Sequence, residues 1–365
     1  AEPTPAKVAE ALRDEGLVLG DATLMALVAT LRSELAGAGP LEPLLHDEAV
    51  SDVLVNGPRS IWVDRGHGLQ ATDVRLADEV AVRRLAQRLA ALAGRRLDDA
   101  SPYVDARLPD GSRLHAVIPP IAPRGTCISI RVPRKRGFSL DDLVAGGSLP
   151  DDGAHWLRRI VQGRLAFLVS GGTGAGKTTL LATMLSVVPQ QDRVLVVEDS
   201  SELEPRHPHV VRLESRPANV EGIGAVTLRD LVRQALRMRP DRLVLGEVRG
   251  AEVVDLLAAL NTGHEGGCGT LHANSAADVP ARLEALALAA GLPRAALHAQ
   301  VAAGLDAVIH VGRDADGQRG VREVCILLAQ DDHLVRAVPA LVFARGGVTD
   351  GPGAPWLRDR LAAVP

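Results

Sequence analysis

Residues 165–185 read LAFLVSGGTGAGKTTLLATML, and the fold follows from how this stretch is parsed. Leu165 to Ser170 is a short apolar run of strand length, Gly171 to Thr178 spells G-x-x-x-x-G-K-[ST], and Thr179 to Leu185 continues as a helix former. Strand, glycine loop and helix in that order make a phosphate-binding loop. Its glycines let backbone N–H groups curl round a phosphate, Lys177 supplies charge to the β and γ oxygens, and the Thr178 hydroxyl stands at a helix N-terminus where it can ligate Mg²⁺. The predicted nucleotide-binding residues are Gly171, Gly172, Thr173, Gly174, Ala175, Gly176, Lys177, Thr178 and Thr179, with ATP and Mg²⁺ as the implied ligands.

Such a loop needs a carboxylate at the end of a neighbouring strand to handle the metal or the attacking water. Leu243-Val244-Leu245-Gly246-Glu247 supplies Glu247 as the predicted base. Gly246 stands where many P-loop enzymes carry Asp, which shifts the metal toward Thr178 and other carboxylates. Those are at hand in Val196-Val197-Glu198-Asp199, with Glu202 shortly after. A single acid is ordinarily a solvated surface group, but paired acids directly after apolar strands face the crevice where open parallel sheets bind ligands. Glu198 and Glu202 therefore join the catalytic candidates, and Thr178, Asp199 and Glu247 are the metal candidates. His264 and His272 bracket Gly266, Gly267 and Gly269, so a loop or strand there can hold an imidazole against a γ-phosphate. No Cys or His partner sits at zinc spacing.

Composition bounds the rest. With 365 residues, 46% hydrophobic and 24% charged, the chain has the balance of an ordinary globular protein and enough length for two domains. Aromatics are 2%, a poor endowment for stacking bases, and a net charge of −4 gives no general attraction to phosphate backbones, so nucleic acid is not an expected partner. Cys127, Cys268 and Cys325 are far apart without C-x-x-C spacing and read as small buried hydrophobes. No run reaches the ~18 apolar residues of a membrane helix, and Ala1 to Leu12 lacks the pattern of a signal peptide. The expected location is the cytosol unless the protein docks elsewhere.

Helical spacing over Ala22 to Leu35 predicts a helical segment within residues 1–39. Short β-rich runs at Asp52–Val55, Ile61–Asp64, Tyr103–Leu108, Arg113–Ile118 and Cys127–Val132, interrupted by a helix at Glu79–Leu92, predict an α+β domain over residues 40–132. A basic cluster, Arg134 to Arg136, and the glycines at 137, 146 and 147 read as a linker over 133–150 around a short helix. Strands alternating with helices then predict an α/β domain with a parallel sheet over 151–345, and the Gly- and Pro-rich stretch 346–365 reads as a flexible tail.

Four motif groups in order resemble the ATPases of type II and type IV secretion systems, which include pilus-assembly motors. Gly171 to Thr178 is similar to that family's Walker A loop, Glu198-Asp199-x-x-Glu202 to its Asp box, Gly246-Glu247-Val248-Arg249 to its Walker B, and Thr270-Leu271-His272 to its His box. Residues 210–217, 236–242 and 261–264 look most like the tight-adherence (Flp) pilus branch. The resemblance runs over roughly residues 40–310 and implies a RecA-like core behind a smaller N-terminal domain. It also implies a homohexamer that binds ATP between its domains and works against an inner-membrane platform protein. His272 is carried over as catalytic, as are Arg113 and Arg131, which match positions whose guanidinium groups reach the γ-phosphate. A run as Gly-rich as Glu265 to Gly269 is unusual for the family and predicts a loose loop near His272. Arg229, Arg233 and Arg237, stacked on one helix face, are possible interface residues, with an ordinary solvated face as the alternative.

Three other readings compete: a nucleic-acid motor such as a helicase or conjugative DNA-transfer ATPase, a nucleotide switch without turnover, and a small-molecule phosphotransferase. The last lacks a recognisable acceptor pocket and lid.

Overall fold

Alternation of apolar and polar residues produces six short strands in the first part of the chain: β1 (Asp52–Val55), β2 (Ile61–Asp64), β3 (Leu69–Ala71), β4 (Tyr103–Arg107), β5 (Arg113–Val117) and β6 (Cys127–Arg131). In the computed structural model they form one antiparallel sheet in the order β3-β2-β1-β6-β5-β4. Val53, Val63, Leu114, Ala116 and Ile130 fall on one face at period two and are fully buried. Helix α1 (Glu79–Leu92) covers that face with Val82, Leu85, Ala86 and Leu89. It begins where the Asp78 carboxylate accepts the Ala81 N–H at 2.8 Å, a side-chain N-cap.

The structure describes residues 37–362 apart from 67, 133–136, 217, 219–222, 315–316 and 345, together with scattered positions before 37. Among those early positions Thr23, Leu24, Met25, Leu27, Val28 and Leu31 are helical; the other positions of the predicted 22–35 helix and the basic cluster at 134–136 lie outside the described residues. The chain divides into two compact units, residues 1–135 and 136–365.

The second unit is built on a nine-stranded sheet: β7 (Phe167–Gly171), β8 (Val194–Glu198), β9 (Val210–Glu214), β10 (Arg242–Val248), β11 (Cys268–His272), β12 (Ala307–Arg313), β13 (Arg319–Ala329), β14 (Val335–Ala344) and β15 (Gly347–Asp350). The order is β15-β14-β13-β12-β7-β11-β10-β8-β9, parallel from β12 to β9 and antiparallel from β12 to β15. Every residue of β7 and β8 is buried, because helices cover both faces and leave no polar side to the strand. On one face pack α2 (Leu140–Ala145), α3 (Asp151–Gln162), α4 (Lys177–Leu185) and α9 (Ala354–Ala362). On the other pack α5 (Leu228–Ala235), α6 (Glu252–Leu260), α7 (Val279–Ala289) and α8 (Arg294–Gly304).

One expectation is located here and two are corrected. Within residues 137–150 the expected short helix is α2, which Ser139 and Asp142 start with a capping box, and Leu140 and Leu149 enter the core. The 346–365 stretch is not a flexible tail through its described length, since β15 extends the sheet and α9 buries Leu357 and Leu361. The glycines of 265–269 mark close approach rather than looseness. A Cβ on Gly266 would stand 1.9 Å from Arg242 Nη1, and one on Gly269 2.8 Å from the Leu245 carbonyl of the adjacent strand. Arg242 is 2% exposed; its Nε donates to Asp192 Oδ2 at 3.3 Å and its Nη2 to the Val161 carbonyl at 3.0 Å, while Arg164 grips both Asp192 oxygens.

Candidate functional site

The glycine loop joins β7 to α4, with Gly176 at φ 101° as the residue before the helix, a conformation that glycine adopts without strain. No side chain caps α4, so its first N–H groups remain aimed at whatever the loop encloses. Lys177, on the first turn, is nearly buried. Its Nζ donates to the Gly171 and Gly172 carbonyls at 3.0 and 2.9 Å and to His272 Nδ1 at 3.3 Å. Burial pushes its pKa down, against the pull of the Glu247 carboxylate.

His272 ends β11, beside β7, in register with Gly171. Its Nδ1 accepts from Lys177, so its Nε2 carries the proton, and Nε2 lies 2.9 Å from Glu247 Oε1. The approach is close but off the line of a hydrogen bond, and Oε1 counts among the buried oxygens that no donor satisfies. Burial and then the Lys177 charge lower the His272 pKa against the pull of Glu247, which keeps the imidazole neutral at pH 7.

Glu247 reaches this position through a break in the sheet. Leu245 pairs with Gly269 and Val248 with Leu271, so Gly246 and Glu247 together oppose Thr270 alone. This is a β-bulge, which re-aims a side chain out of strand alternation. The Thr270 hydroxyl pins it by donating to the Gly246 carbonyl at 2.6 Å. Arg249 contacts Glu247 Oε2 through Nη2, and its Nη1 stands 4.0 Å from Asp199 Oδ2. The buried Glu252 carboxylate holds the Arg249 and Gly250 N–H groups at 2.6 and 2.7 Å.

Glu198 closes β8, next to β10. Glu198 is 4% exposed, its Oε1 accepts the Glu202 and Leu203 N–H groups at 3.0 Å each, and its Oε2 has no donor among the described residues. Desolvation raises its pKa to about 7 despite those two N–H groups. The exposed Glu202 lends Glu198 its backbone N–H.

The structure thus gathers Lys177, His272 and Glu247 into one contact chain, and Arg249 links Glu247 to Asp199. Asp199 is also held by Ser215, whose hydroxyl donates to Oδ1 at 3.0 Å. No group of three or more His, Cys, Asp or Glu is placed to hold a metal among the described residues. A Mg²⁺ ion, which retains waters and takes most other ligands from phosphate, would need little more from the chain than the Thr178 hydroxyl, with the oxygens of Glu198 and Glu247 that lack a donor among the described residues open to its waters. Arg113 and Arg131 lie in the first unit, directly opposite each other on β5 and β6. Arg113 makes a two-pronged pair with Asp105 at 3.1 and 2.8 Å, and Arg131 lies 3.4 Å from Asp52. Arg229 and Arg233 both grip Asp255 of α6, at 2.6 and 2.8 Å, so within this chain they tie helix to helix. His264 turns its Nδ1 to the Ala259 carbonyl.

Sequence reasoning gave no role to Arg249, Thr270 or the buried contact between Ser170 and His310. Arg249 had a signal, its place two residues after Glu247. The Ser170–His310 pair, 140 residues apart, had none.

Residues 34–340 match the family described as "Type II/IV secretion system protein". "Putative conjugal transfer protein Rv3659c" of Mycobacterium tuberculosis (strain H37Rv) is 56% identical over 354 residues, 95% of this chain and 100% of that protein. "Type IV secretion system protein PtlH" of Bordetella pertussis (strain Tohama I) is 33% identical over 319 residues, 80% of this chain and 93% of that protein. Among solved structures, the pilus retraction motor PilT with bound ADP aligns at TM-score 0.58 and 21% identity over 80% of this chain and 83% of that one, a likeness of fold. The second unit is accordingly a RecA-like α/β core, preceded by a smaller α+β unit.

Proposed function

The chain belongs to the type II/IV secretion system protein family, and from that premise we propose that it is a Mg²⁺-dependent ATPase that works as a homohexameric motor against an inner-membrane platform protein. The observation that carries this reading is the contact chain from Lys177 through His272 to Glu247, laid beside the uncapped N-terminus of α4. A triphosphate at that terminus meets backbone N–H groups and the Lys177 ammonium, which must turn from the Gly171 and Gly172 carbonyls to reach it. Glu247, held by the bulge and by Arg249, then orients and deprotonates the attacking water, with His272 against its other carboxylate oxygen. Glu198 supports that water from the neighbouring strand. Thr178 would hold the metal, which would neutralise charge on the phosphate oxygens. The family resemblance adds Arg113 and Arg131 as candidates for stabilising phosphoryl charge, since a guanidinium carries fixed, delocalised charge. The sequence stretches at 210–217 and 236–242 support assembly of a tight-adherence pilus as the work performed.

Phosphate release tests this. Wild type should hydrolyse ATP without DNA and assemble to six subunits with ATP and Mg²⁺, while Glu247→Gln binds nucleotide but does not turn over. A second reading, a DNA-transfer motor, draws support from the relative named as a conjugal transfer protein. Turnover that appears only when DNA is added would replace the first reading with the second.

A further inference from the structure

Ser170 is the last side chain of β7 before the glycine loop and is fully buried; its Oγ lies 2.9 Å from Nδ1 of His310 on β12, itself 9% exposed. The two are Cα partners in the parallel β12–β7 pairing, so the contact sits squarely across adjacent strands. One residue on, β12 meets the loop again. A Cβ on Gly171 would stand 2.4 Å from the Val311 carbonyl oxygen and 2.9 Å from Val311 Cγ2. Side chain at 310 and backbone at 311 therefore bracket the point where strand becomes loop. The β12–β13 pairing also shifts register between His310 and Val311, and such irregularities recur where a side chain has to be re-aimed.

A hydrophobic pair would fill this space without directional preference. A buried hydroxyl facing an imidazole nitrogen is costly unless each satisfies the other, so the pair accepts only a narrow range of relative positions. The carbonyls of Gly171 and Gly172, which hold Lys177, hang directly from the segment so fixed. We propose that His310 is a positioning residue for the nucleotide site: through Ser170 it sets where β7 ends and hence where the glycine loop presents its N–H groups to phosphate. The inference rests on the reading of that loop as an ATP site. His310 acts on the loop through its contact with Ser170.

The test is a double-mutant cycle on the full chain, read as ADP affinity by titration with a fluorescent nucleotide and as the KM and kcat of phosphate release. His310→Leu and Ser170→Ala should each weaken ADP binding and raise KM by about tenfold, with kcat changed much less, since misplacing a site by a fraction of an ångström carries penalties of that order. The double variant should be no worse than His310→Leu. His310→Gln, whose amide can still meet the Ser170 hydroxyl, should recover most of the affinity. Thermal unfolding of each variant separates misplacement from loss of fold. If the folded variants bind ADP like wild type, or if the two effects simply add, His310 is a core residue only and the inference fails. If wild type itself binds no nucleotide, the functional reading fails first.

Discussion

Glu198 occupies the space that a side chain at position 246 would need: a Cβ on Gly246 would stand 2.4 Å from Glu198 Cγ and 2.9 Å from its Oε1. The glycine in a place where P-loop enzymes often carry Asp is thus not a bare loss of an acid. It admits a carboxylate from the neighbouring strand. Gly246→Ala should push Glu198 away, lowering hydrolysis at least tenfold while nucleotide binding persists, at a cost of about 1–3 kcal/mol of overpacking. Wild-type turnover in a folded Gly246→Ala variant would mean that Glu198 has no part in the reaction.

Glu247 is aimed by the bulge and by Arg249, so its substitution separates binding from chemistry. Glu247→Gln keeps the shape and removes the base. Phosphate release should fall by roughly 10²- to 10⁴-fold with ADP affinity unchanged. A drop of less than tenfold would move the base to Glu198.

The raised pKa of Glu198 has a consequence for stability. Desolvation lifts it from 4.5 to about 7 in the folded chain, so between those values the native state holds a proton that the unfolded state has released. Stability therefore declines as pH rises from about 4.5 to about 7 and levels off above, by on the order of 3 kcal/mol in all. Glu198→Gln removes this dependence. Its melting temperature should exceed wild type at pH 8 and match it near pH 4.5; equal gaps at both would show that Glu198 does not titrate in that window.

At the N-terminal end of β10, buried Arg242 depends on Asp192, which is 6% exposed and shared with Arg164. Removing the carboxylate strands a buried guanidinium. Asp192→Ala should cost about 3–5 kcal/mol in urea unfolding. A loss under 1 kcal/mol would place the charge of Arg242 in water after all.

The P-loop, Glu198 and Glu247 were legible because each follows or ends an apolar run, and strands buried on both faces print such runs directly in sequence; His272 was reached from the glycines it brackets with His264 and from the family resemblance. The bulge was not, because it exists only as a mismatch between β10 and β11. The 265–269 glycines misled for a related reason: composition signals flexibility, whereas Arg242 under Gly266 and the Leu245 carbonyl beside Gly269 show packing that only the assembled sheet defines. Arg229 and Arg233 read as candidates for a partner because Asp255, which both engage, lies on the next helix, α6.

The C-terminal stretch carries the same lesson into a measurement. Gly- and Pro-rich composition before Ala354 argues for a tail, yet Leu357 and Leu361, one helical turn apart on α9, are 0% and 6% exposed in the core. Gly353 fits because a Cβ there would stand 2.8 Å from Ile326 Cγ1. Arg360 then pairs with Asp306 at 3.1 Å, and the other Asp306 oxygen accepts the Ala166 N–H at 2.8 Å, at the entry to the strand that bears the glycine loop. Leu357→Ala should therefore destabilise the protein by about 2–5 kcal/mol, the range for a leucine truncated in a core. An exposed tail would give a change near zero, and an unchanged urea midpoint for Leu357→Ala would return α9 to the surface.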